Sequence, residues 1–278
     1  MPATLAELVD LLTLEPLDDR VFRGRQPDHS LLPRVFGGQV AAQALVAAQN
    51  TVPDERRVHS LHSYFLLGGD PSIPILYDVE DVRDGGSFTT RRVAARQHGT
   101  IIFYMTASFQ KLEDGFDHQD AMPDVLPPDE CPTVAELLGA HSPEAGDFWL
   151  QEWAAADVRR APSSDPATQH MWFRVNGVID DVRTLRTALL TYYSDLTLLS
   201  PTLRPHGLVV SSPEVQVASL DHSIWFHRSV DANQWFLYDQ HSPSASHGRG
   251  LSIARVFAES GELVASIAQE GLIRPVKG

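Results

Sequence analysis

A single cysteine, Cys131, stands in 278 residues, so a disulfide within the chain is excluded and a reducing compartment is the expected setting. It lies in Asp129-Glu130-Cys131-Pro132, where two neighbouring acids disfavour a thiolate and leave it inert. Positive charge is also scarce. The 22 Lys and Arg against 36 Asp and Glu give a formal charge of −14, which argues against a surface that tracks nucleic-acid phosphates. The densest basic patch, Arg91-Arg92 with Arg96, is expected to be a solvated strand face rather than a phosphate contact. No apolar run approaches membrane-spanning length, and the opening residues, from Met1 to Asp10, lack the positive flank and long apolar stretch of a signal peptide. Val276-Lys277-Gly278 is not a peroxisomal Ser-Lys-Leu-type address. A cytoplasmic protein with no nucleic-acid partner and no membrane span is the expectation. Serine-hydrolase chemistry lacks its Gly-x-Ser-x-Gly elbow, because Gly85-Gly86-Ser87-Phe88-Thr89 fails at the final position. His59 and His62, three apart on a strand, should point to opposite faces with no second ligand cluster, so no metal site is expected.

What the chain does have is a repeat. With 43% hydrophobic and 21% charged residues it has the composition of a globular protein with a sizeable core. Ser60-Leu61, Leu76-Tyr77-Asp78 and Ala107-Ser108 are answered by Ser219-Leu220, Leu237-Tyr238-Asp239 and Ala268. The offsets are 219 − 60 = 159, 237 − 76 = 161 and 268 − 107 = 161. That period is far longer than the roughly 20–50 residues of a solenoid unit, so two copies of one domain are implied.

Each copy reads as a helix followed by strands. Leu5, Leu8, Val9, Leu11 and Leu12 predict a short amphipathic helix over residues 3–13, leading to a strand near 19–24. Gln39 to Ala48 is apolar almost all round, which predicts a buried helix. From His59 to Gln110, strand-like segments are separated by Gly68-Gly69-Asp70-Pro71, Asp84-Gly85-Gly86 and His98-Gly99. Residues 111–167 are rich in proline and acids and read as a linker, with one short helix at 133–138. The second copy opens with a strand at 171–175. A helical stripe follows at Val182, Leu185, Leu189, Tyr192 and Leu196, and then strands at about 208–227, 235–241, 249–258 and 262–273. The fold class is therefore α+β. An N-terminal domain spans 1–110, a linker 111–167 and a C-terminal domain 168–278, each domain a long helix wrapped by an antiparallel sheet, as in a double hot-dog fold.

Four blocks carry a family resemblance: Arg34-Val35-Phe36-Gly37-Gly38-Gln39, His59-Ser60-Leu61-His62-Ser63-Tyr64-Phe65-Leu66, Phe103 through Gln110, and Leu220-Asp221-His222-Ser223-Ile224-Trp225-Phe226-His227. In that order they closely resemble the type II acyl-CoA thioesterases, the bacterial TesB group and its peroxisomal relatives. The likeness implies a double hot-dog enzyme that takes acyl-CoA as substrate and hydrolyses it to fatty acid and CoA, with no metal, no cofactor and no covalent intermediate. It also implies assembly as a homo-oligomer, a dimer or tetramer. The family's water-holding Asp, Ser or Thr, and Gln match Asp195, Ser219 and Gln269, so the chemistry is expected in the second half. Bacterial relatives often carry Thr where this chain has Ser219, and the hydroxyl survives.

The residues also admit plainer readings. Asp195 lies three positions after Tyr192, beside the apolar stripe, where a carboxylate is either a general base with raised pKa or a helix-end cap. Gln269 ends the inward row Leu263, Ala265, Ile267 of the last strand. There its amide could orient a water or simply satisfy backbone groups. Ser219 would share a face with Val215, Val217 and Asp221 in a regular strand. Gly37 and Gly38, ahead of the buried helix, either offer free amides to an oxyanion or only permit a tight turn. His222 is expected to be structural, because Asp221 and His222 diverge on a strand. Aligning Ala44 with Ala188 sets Thr51 against Asp195, so the first copy should lack the carboxylate and each chain should hold one site. A hot-dog hydratase or dehydratase, and an acyl-CoA sensor without turnover, are the alternatives.

Overall fold

The computed structural model of the chain describes residues 1–179 and 182–276; Lys277 and Gly278 of the tail read above lie outside them. Helix α1 (Leu5–Leu12) begins where the Thr4 side chain accepts the Glu7 N–H, and it buries Leu8, Leu11 and Leu12. Strands β1 (Glu15–Asp18) and β2 (Val21–Gly24) form a short hairpin. Helix α2 (Gly37–Gln49) is buried at every position from Gly38 to Ala48, as its small aliphatic composition dictates. The meander β3 (Arg56–Phe65), β4 (Ile75–Asp84), β5 (Phe88–Gln97) and β6 (Thr100–Lys111) follows.

The proline-rich stretch holds more regular structure than its composition suggests. Besides α3 (Val134–Gly139), closed by a capping box between Thr133 and Glu136, it contains α4 (Pro143–Trp153) and β7 (Ala156–Ala161). Strand β7 pairs with β8 (Thr168–Val175). Next come α5 (Arg183–Ser194) and a single turn, α6 (Ser200–Leu203). The strand expected across 208–227 is in fact two. Residues 208–214 are irregular, and Leu220 separates β9 (Val215–Ser219) from β10 (Asp221–Phe226). Strands β11 (Phe236–Ser246), β12 (Arg249–Ala258) and β13 (Leu263–Pro275) complete the chain.

All of the strands join one antiparallel sheet in the order β1-β2-β4-β5-β6-β3-β10-β13-β12-β11-β8-β7, with β9 beside β13. The two sides mirror each other: β3, β6, β5, β4 and β2 run outward from the middle as β10, β13, β12, β11 and β8 do. At the seam Leu61 faces Ile224, His62 faces Ser223 and Ser63 faces His222. Adding 161 to 61, 62 and 63 returns 222, 223 and 224, so the pairing is self-complementary about His62 and Ser223. The repeat in the sequence is thus a pseudo-twofold axis in the fold. Helices α2 and α5 pack on each other against the inner face.

Two expectations for the strands change. Arg91 is not solvated: its side chain is 2% exposed and bridges Asp81 (2.9 Å) and Asp84 (2.9 Å), while Arg92 and Arg96 pair with Glu80 and Asp78 at the surface. His59 and His62 do not diverge, because a register shift between Val58 and Ser60 slips the strand by one place. Both imidazoles face outward, His59 on Ser108 (2.8 Å) and His62 on Ser223 (3.0 Å). Cys131 is buried, and burial pushes its thiol pKa up.

The helix pair sets a tight limit at Gly38, where an added Cβ would stand 2.2 Å from the Tyr192 carbonyl oxygen, a backbone atom that cannot rotate away. Gly38→Ala is expected to cost about 1–3 kcal/mol in urea unfolding. Gly86→Ala, whose Cβ would meet nothing within 4 Å, should leave the midpoint unchanged; equal midpoints for the two variants would refute the close helix packing.

Candidate active site

Three polar side chains meet where α5 ends against the inner face of the sheet. Asp195 is the C-cap residue of α5, so the helix geometry carries its carboxylate just past the last apolar turn. Gln269 is fully buried within the inward row of β13, between Ile267 and Gly271, and does not end that row as expected; a register shift opposite Phe257 turns Leu263 out of it, into a separate cluster with Trp172, Leu237 and Phe257. Ser219 ends β9 opposite Gly271. The break at Leu220 lets β9 and β10 pair with successive stretches of the same strand, β13, and it lies beside Gln269. Ser219 and Asp221 consequently part company: Asp221 Oδ1 accepts the Glu270 N–H (2.8 Å) and takes no part in the cluster.

Gln269 is the hub. Its Nε2 donates to Asp195 Oδ1 (2.8 Å) and to Ser219 Oγ (2.9 Å), and Ser219 Oγ donates to Asp195 Oδ1 (3.1 Å). On the other side its Oε1 lies 2.6 Å from His222 Nδ1. His222 Nε2 lies 2.7 Å from Ser194 Oγ. The circuit closes through the backbone of α5, since Ser194 and Asp195 are consecutive, and the Tyr238 hydroxyl donates to the Ser194 carbonyl (2.8 Å). Burial drives the pKa of Asp195 up, against the opposing pull of His222, the Gln269 and Ser219 donors and the Gly38 N–H. Burial also drives the pKa of His222 down, which keeps its ring neutral at neutral pH.

The first half of the chain contributes a helix end. Gly37 and Gly38 open α2 beside the Asp195 carboxylate, and the Gly38 N–H helps to lower its pKa, where the positive end of the helix dipole favours an anion. A Cβ at Gly37 would come within 2.6 Å of Asp195 Oδ2, so the glycine is what allows the carboxylate to sit there. Phe36 leads into the helix and packs edge-on against Trp153 of α4 and Tyr192 of α5. In this arrangement the two glycines serve the carboxylate directly.

The register shows what occupies the matching place in the first half. Leu61 pairs with Ala107, and Arg91 also pairs with Ala107. These positions answer His222, Gln269 and Ser252 of the second half, where Ser252 pairs with Gln269. Leu61 and Ala107 are fully buried. Thr51, set against Asp195 by the helix alignment, donates to the Ala48 carbonyl (2.8 Å) and accepts from Arg91 Nε (3.1 Å). Polar groups that cluster in one half are replaced in the other by two apolar side chains and a threonine held by an arginine.

Sequence reasoning set His222 aside and did not consider Ser194. The divergence argument was sound as far as it went, because Asp221 and His222 do point apart. The overlooked signal is that His222 shares the inward row of β10 with Ile224 and Phe226, all three buried, and an imidazole in such a row needs partners. Among the described residues no group of three or more His, Cys, Asp or Glu side chains is placed to hold a metal ion.

The family model described as acyl-CoA thioesterase matches residues 152–272, and that of the acyl-CoA thioesterase N-terminal domain matches residues 26–110. The chain is 40% identical to acyl-CoA thioesterase 2 of Haemophilus influenzae over 284 residues, covering 99% of each chain. It is 39% identical to acyl-coenzyme A thioesterase 8 of Homo sapiens, over 95% of this chain and 88% of the human one. Among solved structures, the acyl-CoA thioesterase II TesB2 of Mycobacterium marinum superposes with a TM-score of 0.84 at 43% identity, covering 97% of this chain and 98% of that one. A hot-dog-fold protein of Alicyclobacillus acidocaldarius, at 23% identity and a TM-score of 0.77 over 99% of this chain and all of that one, shares the fold.

Because Gln269 satisfies three partners at once, Gln269→Leu should destabilise the protein even though it makes a buried side chain more apolar. The expected loss in urea unfolding is about 1–3 kcal/mol, the cost of a buried polar group left without its partner. Unchanged or increased stability would show that the network is not holding α5 to the sheet.

Proposed function

The chain belongs to the acyl-CoA thioesterase family, with the hot-dog fold, and on that footing we propose that it hydrolyses fatty acyl-CoA to free fatty acid and CoA at one centre per chain built on Asp195, Ser219 and Gln269. Enzymes of this family are thioester hydrolases. The observation that carries the reading is the convergence of Ser219 and Gln269 on Asp195 Oδ1, with Gln269 also bonded to Ser219.

The proposed reaction is direct attack by water. A water admitted at the cluster takes over one of the bonds now made between the side chains, held by Ser219 and Gln269 with its proton directed at Asp195. As the water oxygen bonds to the thioester carbon, Asp195 takes that proton, and its raised pKa suits a general base. The tetrahedral oxyanion is held by backbone N–H groups at the first turn of α2, that of Gly37 and, once Asp195 has taken the proton and lost its hold on it, that of Gly38. The carbon–sulfur bond then breaks, and the thiolate of CoA recovers the proton from Asp195. Glutamine cannot itself be a base, so its part is orientation.

No resident cofactor or metal enters this scheme. In the proposed division, residues 1–110 supply the helix end, 111–167 connect the halves, and 168–278 carry the three side chains. We extend the proposal to a cytoplasmic setting and to a homo-oligomer, dimer or tetramer; no helix among the described residues is long and apolar enough to cross a membrane. A hydratase or dehydratase would need an imidazole nitrogen facing its substrate, and both nitrogens of His222 are engaged by protein groups, which favours hydrolysis.

Thiol release from acyl-CoAs of graded chain length tests the activity. Asp195→Asn, compared at matched folded concentration, should lose about 10²–10⁴-fold in rate; no release from any chain length despite binding would sink the hydrolase reading. The base must be ionised to act and burial raises its pKa. The parent's kcat/KM should therefore fall on the acid side with a midpoint above the ordinary carboxylate value of about 3.9. A profile flat down to that value would remove Asp195 from the role of base.

A further inference from the structure

The carboxamide of Gln269 is useful only in one orientation. With its NH2 towards Asp195 and Ser219, both hydrogens are used and the oxygen is left facing His222 Nδ1 at 2.6 Å. Turned over, the amide would set its oxygen against a carboxylate and its NH2 against the imidazole. An ionised Asp195 accepts only and so opposes that reversal, but in each turnover it carries the water's proton and the opposition lapses, and Ser219 can donate as readily as accept. The group left to hold the amide in both states is His222 on β10. A carbonyl oxygen 2.6 Å from an imidazole nitrogen requires a hydrogen on that nitrogen.

We infer that His222 is a positioning residue for the reaction proposed above: donating from Nδ1, it locks the Gln269 amide with its NH2 towards Asp195 and Ser219. The inference rests on the thioesterase reading of that site. It also fixes the tautomer. With the hydrogen on Nδ1, a neutral ring offers Nε2 as an acceptor, and the Ser194 hydroxyl at 2.7 Å turns its single hydrogen there, away from the Thr191 carbonyl 2.8 Å off. His222 is 0% exposed and Ser194 1% exposed, so no bulk water competes for these bonds. The ionisable groups that bear on the ring are Asp195 across the network and Asp221 beside it. The first half offers the contrast: where His222 stands here, Leu61 stands there, and the neighbour on the next strand is Ala107 in place of Gln269. The histidine and the glutamine occur together in one half and are absent together from the other.

Three variants separate the two ring nitrogens. In His222→Asn the side-chain amide nitrogen falls close to the position of Nδ1, so the donor to Gln269 is kept and the contact to Ser194 is lost. In His222→Gln the amide reaches towards Nε2, so the Ser194 contact is kept and the Nδ1 donor is lost. His222→Leu loses both. At matched folded concentration, His222→Gln and His222→Leu should lose about 10²-fold in kcat, the scale of a misplaced reacting group, with KM within a few-fold of the parent, while His222→Asn stays within a few-fold of it. Combined with Gln269→Ala, His222→Leu should cost nothing further, since the two act as one unit. In the parent, nitrogen-15 spectra of the imidazole should show the Nδ1–H form. Full kcat in His222→Gln, loss in His222→Asn equal to that in His222→Leu, multiplying losses in the double variant, or an Nε2–H ring would each overturn the inference. Asp195→Asn and Gln269→Ala assayed alongside keep the two levels apart. If they retain activity, the mechanism itself fails; if they lose it while His222→Gln does not, only the role of His222 fails.

Discussion

A primary amide buried out of reach of water has two donors and an oxygen to satisfy, and around Gln269 each finds a partner at 2.6–2.9 Å. That requirement orders the site. Leaving any one of these groups unpaired in the interior would cost about 1–3 kcal/mol, so the amide pins the end of α5, the end of β9 and the start of β10 to one point on β13. The carboxylate of Asp195 is tolerable so far from water because the same amide, a serine hydroxyl and a helix N-terminus all point at it. In the proposed reaction, chemistry and cohesion are supplied by the same bonds.

The scaffold around this point is nearly symmetric, and the symmetry makes the difference between the halves easy to see. The seam at His62 and Ser223 gives each half the same sheet edge, and α2 and α5 lie against one another as equivalent helices. Leu61 and Ala107 fill with hydrocarbon the space that His222 and Gln269 fill with polar groups. Thr51 is held by Arg91, whose guanidinium is bridged to Asp81 and Asp84. At these positions the first half is packed as a core and the second holds a buried polar network.

Much of this was legible in the residues. The repeat anticipated the pseudo-twofold but not its full register, since strand pairing sets Leu61 against His222 and Ala107 against Gln269 where the repeated residues had set them against Leu220 and Ala268; the apolar run from Gln39 to Ala48 anticipated a helix buried on all sides. That Gln269 faces inward among apolar neighbours was visible from alternation, although the row does not end there and Leu263 is not part of it. Other features were hidden for definite reasons. A period-2 count assumes an unbroken strand, so the shift beside His59 and the break at Leu220 could not be seen, and both decide where side chains point. Helix α4 is short, opens on Ser142-Pro143 and lies among acids, and its apolar face is set by contacts made elsewhere in the chain. The role proposed for Gln269 came from family likeness, whereas the imidazole behind it depends on a pairing across strands far apart in sequence.

The Asp195 carboxylate comes from the second half and the helix N-terminus beside it from the first, and this has a bearing on how the two copies can drift. What α2 lends is a main-chain N–H, common to every residue but proline, so natural selection can act on the first half only through the path of its backbone. Most of that half is then free to exchange one apolar residue for another. Gly37 and Gly38 are not, because a methyl group at either would displace the partner helix or the carboxylate. Across diverging descendants of such a duplicated gene, the silent copy should be recognisable less by its side chains than by two positions that stay empty.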